Sequence, residues 1–140
     1  MKTSQNGLTL IETSEGFRSE TYLDAAGNPT IGYGHLIKPG EIFPGGITEA
    51  EGQQLLEADV AAAEAAVNSM APQANQNQFD ALVDFAFNLG AGALHTMLGH
   101  GWDQVTSQIP RWNKAAGNVL PGLVTRRAAE VTLFTTPVSG

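Results

Sequence analysis

Residues 15–35 read EGFRSETYLDAAGNPTIGYGH, and every larger feature of the chain is best placed by working outward from them. Glu15 stands before a glycine, Asp24 opens the turn-forming segment DAAGN, and Thr30 begins a run interrupted by Gly32 and Gly34. Thr21, Tyr22 and Leu23 have strand character, and Thr30 to Leu36 returns as a glycine-containing strand, so a small hairpin is expected about Asp24–Asn28. Gly32 and Gly34 alternate, which puts both on one strand face. Without side chains there, a ligand can approach the backbone closely. Taken alone, G-x-G is equally a loose hairpin twisted by glycine.

Upstream, Thr3 or Ser4 can cap a helix that Gly16 ends. Leu8, Ile11 and Glu15 fall at i, i+3 and i+7 and share its apolar face, while Glu12 is expected to point elsewhere. A glutamate on a short helix is by default a solvated charge. On an apolar stripe, desolvation would raise its pKa and keep it protonated, as a general acid requires. Asp24 alone reads as an Asx-turn residue and Thr30 as a β-former. Beside Glu15 they become a carboxylate and a hydroxyl able to hold one water opposite a proton donor, the arrangement that glycosidic bond hydrolysis uses. Glu20, before the turn, is expected to face solvent.

Downstream, Ile37 to Gly46 is a Pro/Gly-rich loop. Thr48 and Glu51 form a capping box, and Leu56, Val60, Ala63, Val67 and Met70 keep a 4-3-4-3 spacing, so one long helix is expected over 48–70. Pro72 ends it. Gln78 to Gly90 reads as a second helix, apolar around most of its circumference, with Phe79, Val83, Ala86 and Phe87 on its main face. His95 and His100 lack a third ligand and read as surface or loop residues. Trp102 to Ile109 is expected as a short helix stopped by Pro110, Trp112 as a packing residue, 114–120 as a loop and Pro121 as the start of the last helix. On that helix Val124, Arg127, Val131 and Phe134 form one stripe, so Arg127 points inward and Arg126 outward. An inward arginine either snorkels to an edge or pairs with a buried carboxylate. The tail TTPVSG is expected to fray.

The 140 residues are one domain's worth, 42% hydrophobic and 15% charged, which excludes wholesale disorder. With no cysteine there is no disulfide or thiolate metal site, and neither metal nor cofactor is implied. No stretch approaches a membrane span or a signal peptide. The net charge of −7 is carried by residues 1–64, with ten acids against three bases, whereas 65–140 balance four against four. Such a chain has no electrostatic pull on nucleic acid.

In EGFR, TYLDAAGNPTIGYGHL, T-E-A-E at the start of the long helix, QFDALVDFAFNLGAGAL and GLVTRRAAEVTLF, the chain resembles glycoside hydrolase family 24, the phage-type lysozymes or endolysins. The resemblance runs nearly end to end, and the E-x8-D-x5-T spacing of Glu15, Asp24 and Thr30 together with IGYGH is highly specific. It implies an α+β, mainly α-helical, lysozyme-like two-lobed fold in a single domain 1–140: a small β-hairpin lobe over about 14–50, a connecting helix over about 48–70, and a helical lobe from about 1–13 plus 71–136. It makes Glu15 the general acid, Asp24 the carboxylate that activates water with Thr30, and inversion the outcome, with carboxyls roughly 6.5–9.5 Å apart. His35 would pair with Asp59, and Arg127 would contact the catalytic Glu15, both as structural support. Gly34 and the backbone at Leu36 would line the sugar site.

The implied partner is peptidoglycan, cut between N-acetylmuramic acid and N-acetylglucosamine by a monomer without stable membrane association. A separate holin-like protein would release it from the host cytoplasm to the wall. A lytic transglycosylase and a non-catalytic wall-binding module are the competing readings; Asp24 and Thr30 weigh against the first, and the intact triad of Glu15, Asp24 and Thr30 against the second.

Overall fold

A computed structural model describes residues 1–138. The chain separates into two compact units. One is Ile11–Ala61; the other joins Met1–Leu10 to the chain from Ala62 onward. Helix α1 (Gln5–Glu15) divides between them and ends at Gly16, whose φ of 73° suits glycine.

The Ile11–Ala61 unit holds a three-stranded antiparallel sheet of β1 (Arg18–Leu23), β2 (Pro29–Gly32) and β3 (His35–Leu36), in that order, and helix α2 (Glu49–Asp59). The expected single return strand over 30–36 is corrected: it folds back at Tyr33–Gly34 into a second hairpin, pairing Ile31 with His35 and Thr30 with Leu36. Gly32 and Gly34 cause the reversal, with φ of 67° and 78° that no strand uses. They make a corner, not a bare strand face. Between Arg18 and Tyr22 the register with β2 shifts, marking a bulge in β1. Ile11, Ile31, Tyr33, Leu56 and Val60 are buried.

The expected helix over 48–70 is also corrected. The Thr48–Glu51 capping box opens α2 as predicted, but α2 stops at Asp59 and α3 runs Ala61–Met70. Between them Val60 is buried with a ψ of −9°, on the tighter, 3-10 side of helical geometry, so the regular ladder is interrupted. Periodicity could not reveal this, because the apolar spacing continues across the break.

In the other unit, α4 (Gln76–Leu89) is capped by an Asn75–Gln78 box and buries every residue from Phe79 to Ala86. Then follow α5 (Ala91–Leu98), a 3-10 turn at Trp102–Gln104, α6 (Val105–Gln108), a second 3-10 turn at Ile109–Arg111, and α7 (Pro121–Thr135). Pro110 therefore does not stop the segment. It sits at the start of a new 3-10 turn, where its missing N–H costs nothing. The expected loop 114–120 contains a small hairpin, β4 (Lys114–Ala115) with β5 (Asn118–Val119). Ala116 and Gly117, both at positive φ, supply its two-residue turn. The tail is more ordered than expected: Thr135 ends α7, and Asn77 Nδ2 donates to the carbonyls of Thr136 and Pro137. Ser139 and Gly140 lie outside the described residues.

On α7 the expected orientation of Arg126 is overturned. Arg126 is buried and grips Asp84 of α4 with two bonds, Nε to Oδ2 at 3.0 Å and Nη2 to Oδ1 at 2.8 Å. Arg127 is buried too, bonding Glu130 Oε2 and Asn88 Oδ1 at 2.8 Å each and the Trp112 carbonyl at 3.3 Å. Its Nε lies 2.8 Å from Glu130 Oε1 without hydrogen-bond alignment. Val124, expected inside, is exposed. The buried side of α7 is thus 126, 127, 130 and 134, a stripe that apolar periodicity cannot find because three of its members are charged.

Burial, then the neighbouring Asp84, pushes the Glu130 carboxyl up to about 10, against the pull of Arg127 and Arg126. Folding at neutral pH therefore protonates a group that is ionised in the unfolded chain. Its stabilising effect is complete below about pH 4.5 and drains away as pH rises toward 10. Thermal unfolding of Glu130→Gln, scanned between pH 5 and pH 9, should show a flatter loss of stability than the parent; parallel curves would contradict this. Asp84→Ala, by leaving Arg126 without its buried carboxylate, should cost about 3–5 kcal/mol in denaturant titration.

Candidate active site

Five of the residues singled out by sequence, Glu15, Asp24, Thr30, Gly34 and His35, lie within the Ile11–Ala61 unit, as do Leu36 and Asp59. Glu15 ends α1 and is half-buried. Its carboxyl packs against the bare α-carbon of Gly34: a methyl group placed there would stand 2.9 Å from Oε1. Two demands meet at Gly34, a positive φ and a face kept clear for Glu15, and only glycine meets both.

Asp24 is held by the turn it opens. Its Oδ1 accepts the amides of Asn28 at 2.8 Å and Ala26 at 2.9 Å, and Oδ2 accepts Asn28 Nδ2 at 3.3 Å. The Asn28 amide foremost, with its side chain and the Ala26 and Gly27 amides, holds the carboxyl below the usual aspartate range. Asp24 is therefore an ionised acceptor over most of the pH scale. The same Asn28 takes the Thr30 hydroxyl: Oγ1 donates to its carbonyl at 2.8 Å. Both groups are thus fixed through one residue, and the Thr30 oxygen keeps its lone pairs for another donor. In the sheet Thr30 lies between Tyr22 and Leu36, its direct cross-strand partners on one face, and is itself almost fully buried. Leu36 is exposed.

His35 is buried, with Nδ1 2.8 Å from Asp59 Oδ2 and Nε2 3.1 Å from Glu41 Oε1. Glu41 also takes the Lys38 amide at 2.7 Å, and that amide first, then His35, holds its carboxyl low. His35 so ties α2 to the loop after β3. Sequence reading missed Glu41. Its signal was slight, an acid six residues after the histidine within a Pro/Gly loop.

Glu12 was also misjudged. It is partly buried, its Oε1 has no hydrogen-bond partner, and burial first, then Glu49 and Glu57, push its carboxyl up. Tyr33 is shifted up by burial and by Glu12 and Glu49. The pattern did hold a signal, since Glu12 lies at i+4 from Leu8 and at i−3 from Glu15. The task that the resemblance gives Arg127 is to hold Glu15; the bonds described for it run to Glu130, Asn88 and Trp112. Among the described residues no cluster of His, Asp and Glu is arranged to hold a metal ion, and no helix is long and apolar enough to cross a membrane.

Residues 12–130 match the family described as Phage lysozyme. The endolysin of Bacillus phage PZA is 38% identical over 96% of this chain, which spans 55% of that relative's length. The endolysin of Salmonella phage P22 is 35% identical, with 96% of this chain and 98% of that one aligned. Among solved structures, the muramidase domain of SpmX from Asticaccaulis excentricus is 33% identical and superimposes with a TM-score of 0.83, covering 97% of this chain and 99% of that one. The α+β, mainly helical fold is the one these proteins share, and the chain belongs to the phage lysozyme family.

Gly34→Ala would force Glu15 aside and place a side chain at a φ of 78°. It should cost about 1–2 kcal/mol in thermal stability through the backbone alone, and more in total than the parallel change Gly40→Ala because Glu15 must also move. The glycine at 40 has equally positive φ, but nothing lies near where its methyl would be. Thermal unfolding of the two variants checks it; equal losses would contradict the role of Gly34.

Proposed function

We propose that the chain is an endolysin-type muramidase, a single phage-type lysozyme domain that hydrolyses the β-1,4 bond between N-acetylmuramic acid and N-acetylglucosamine in bacterial peptidoglycan. The observation that carries this reading is the presence, in one compact unit, of a half-buried carboxyl set against Gly34 and of a carboxylate and a hydroxyl both fixed by Asn28. Glu15 protonates the departing glycosidic oxygen. Asp24, kept ionised by its amide donors, accepts a proton from the attacking water, and the free lone pairs of Thr30 orient that water. One water added from the face opposite the leaving group inverts the anomeric carbon.

In this reading His35 and Asp59 hold the loop beside the site, and Gly34 with the Leu36 backbone lines the sugar path. No metal or cofactor enters the chemistry. The enzyme works as a monomer, stays in the host cytoplasm until a separate holin-like protein opens the membrane, and then acts on the wall. The family match and the relatives, which are endolysins and a muramidase domain, support the substrate class.

Glu15→Gln and Asp24→Ala should each reduce release of reducing ends from purified peptidoglycan by about 100-fold or more while leaving the circular dichroism spectrum unchanged. Products formed by the parent in ¹⁸O-water should carry one solvent oxygen at the new reducing end. Full activity in Glu15→Gln, or 1,6-anhydro ends without solvent oxygen, would contradict the mechanism.

A further inference from the structure

Glu41, in the loop that follows β3, has no part in the chemistry described above, yet it holds the chain on both sides of Leu36. One carboxylate oxygen does this: Oε1 accepts the Lys38 amide at 2.7 Å and stands 3.1 Å from His35 Nε2. The Glu41 amide in turn donates to the Lys38 carbonyl at 3.0 Å, so residue 41 takes both polar backbone groups of Lys38. Behind this hold, His35 Nδ1 meets Asp59 on α2 at 2.8 Å, and the His35 ring stands edge-on to Phe43 at 6.0 Å. The next residue gives little apolar anchorage, since Ile42 is 81% exposed. All of these residues belong to the Ile11–Ala61 unit.

The register shows what this hold controls. β3 is an outer strand of the sheet; the Ile37 amide bonds the Pro29 carbonyl at 3.0 Å, and Ile31 pairs with His35. Antiparallel partners alternate between bonded and non-bonded pairs, so Leu36, opposite Thr30, falls at a non-bonded one. Its own amide and carbonyl therefore turn away from β2, toward the edge. A strand of two residues does little to fix that direction by itself. We propose that Glu41 is a positioning residue for the glycan: by joining His35 to Lys38 through one oxygen, it aims the Leu36 peptide groups at the substrate. The inference rests on the reading that the Leu36 backbone lines the sugar path, and adds to it a residue that acts only through β3. If the released edge kept its binding position about a tenth of the time, affinity would fall about tenfold. Turnover of bound glycan would change little, because Asp24 and Thr30 are fixed separately by Asn28.

Three variants separate reach from charge. Glu41→Gln keeps an oxygen at the same reach without the charge, Glu41→Asp keeps the charge on a shorter stem, and Glu41→Ala removes both. Each is measured for KM and kcat on soluble, uncrosslinked glycan strands of peptidoglycan. The dissociation constant of the same strands is then measured with Glu15→Gln added. Glu41→Asp and Glu41→Ala should raise KM and the dissociation constant about tenfold, with kcat within about twofold. Glu41→Gln should stay within about threefold of the parent, as should Lys38→Ala, which leaves the Lys38 amide in place. Should Glu41→Ala fail to fold, Glu41→Asp against Glu41→Gln decides alone. Affinity that follows charge, with Glu41→Asp at the parent value and Glu41→Gln weakened, would overturn the proposal. So would unchanged affinity in Glu41→Asp and Glu41→Ala, or a loss confined to kcat. Failure of the muramidase reading would appear differently, as absence of reducing ends with the unmutated protein; the dissociation constants would still decide the role of Glu41. Glycan that the Glu15→Gln parent does not bind at all would overturn both.

Discussion

The contact on which the site depends is the seating of the Glu15 carboxyl on the bare α-carbon of Gly34. It requires α1 to end where it does, and Gly16 provides that stop. It also requires the chain after β2 to turn back immediately, so that backbone and not side chain faces the helix end. A left-handed φ at any other residue costs about 1–2 kcal/mol, so the corner is affordable only as glycine. The short β3 follows from the same corner, and His35 and Leu36 take their places from β3.

A second constraint is local and economical. Asn28 donates twice to Asp24 and accepts from Thr30, so a five-residue turn fixes the charge state of one group and the orientation of the other. Neither needs a distant partner. His35 acts at longer range, bridging Asp59 on α2 and Glu41 in the loop, which carries order from the sheet to the helix capped by Thr48. In the other unit the equivalent task falls to buried polar groups: the Arg126–Asp84 ion pair joins α7 to α4, and Arg127 bonds Glu130, Asn88 and the Trp112 carbonyl in the interior, where apolar packing would ordinarily serve.

What the sequence made legible follows from what each signal measures. Capping residues, Pro121, Gly16 and the apolar spacing of α4 act locally, so they marked helix ends within a residue or two. The turn at Asp24–Asn28 was legible for the same reason. Periodicity misled wherever backbone geometry changed without a change in spacing, as at Val60, or where glycine could serve either a strand or a corner, as at Gly32 and Gly34. It was blind to buried charge. Arg126 was read as pointing outward, Glu12 as pointing away from the apolar face, and Glu130 drew no reading, because their burial depends on partners remote in sequence or on a crowded carboxylate neighbourhood. Glu15, Asp24 and Thr30 were picked out from the residues themselves and their spacing matched by the resemblance; the Asn28 link between Asp24 and Thr30 needed coordinates.

The proposed division of labour, with Glu15 as proton donor and Asp24 as water-activating base, is tested most directly by a chito-oligosaccharide bearing a dinitrophenyl leaving group, which departs without protonation. Initial rates of Glu15→Gln and Asp24→Asn on this substrate should separate sharply. The account predicts that Glu15→Gln regains most of the unmutated rate while Asp24→Asn stays inactive. Recovery in Asp24→Asn alone, or equal impairment of the two, would contradict it.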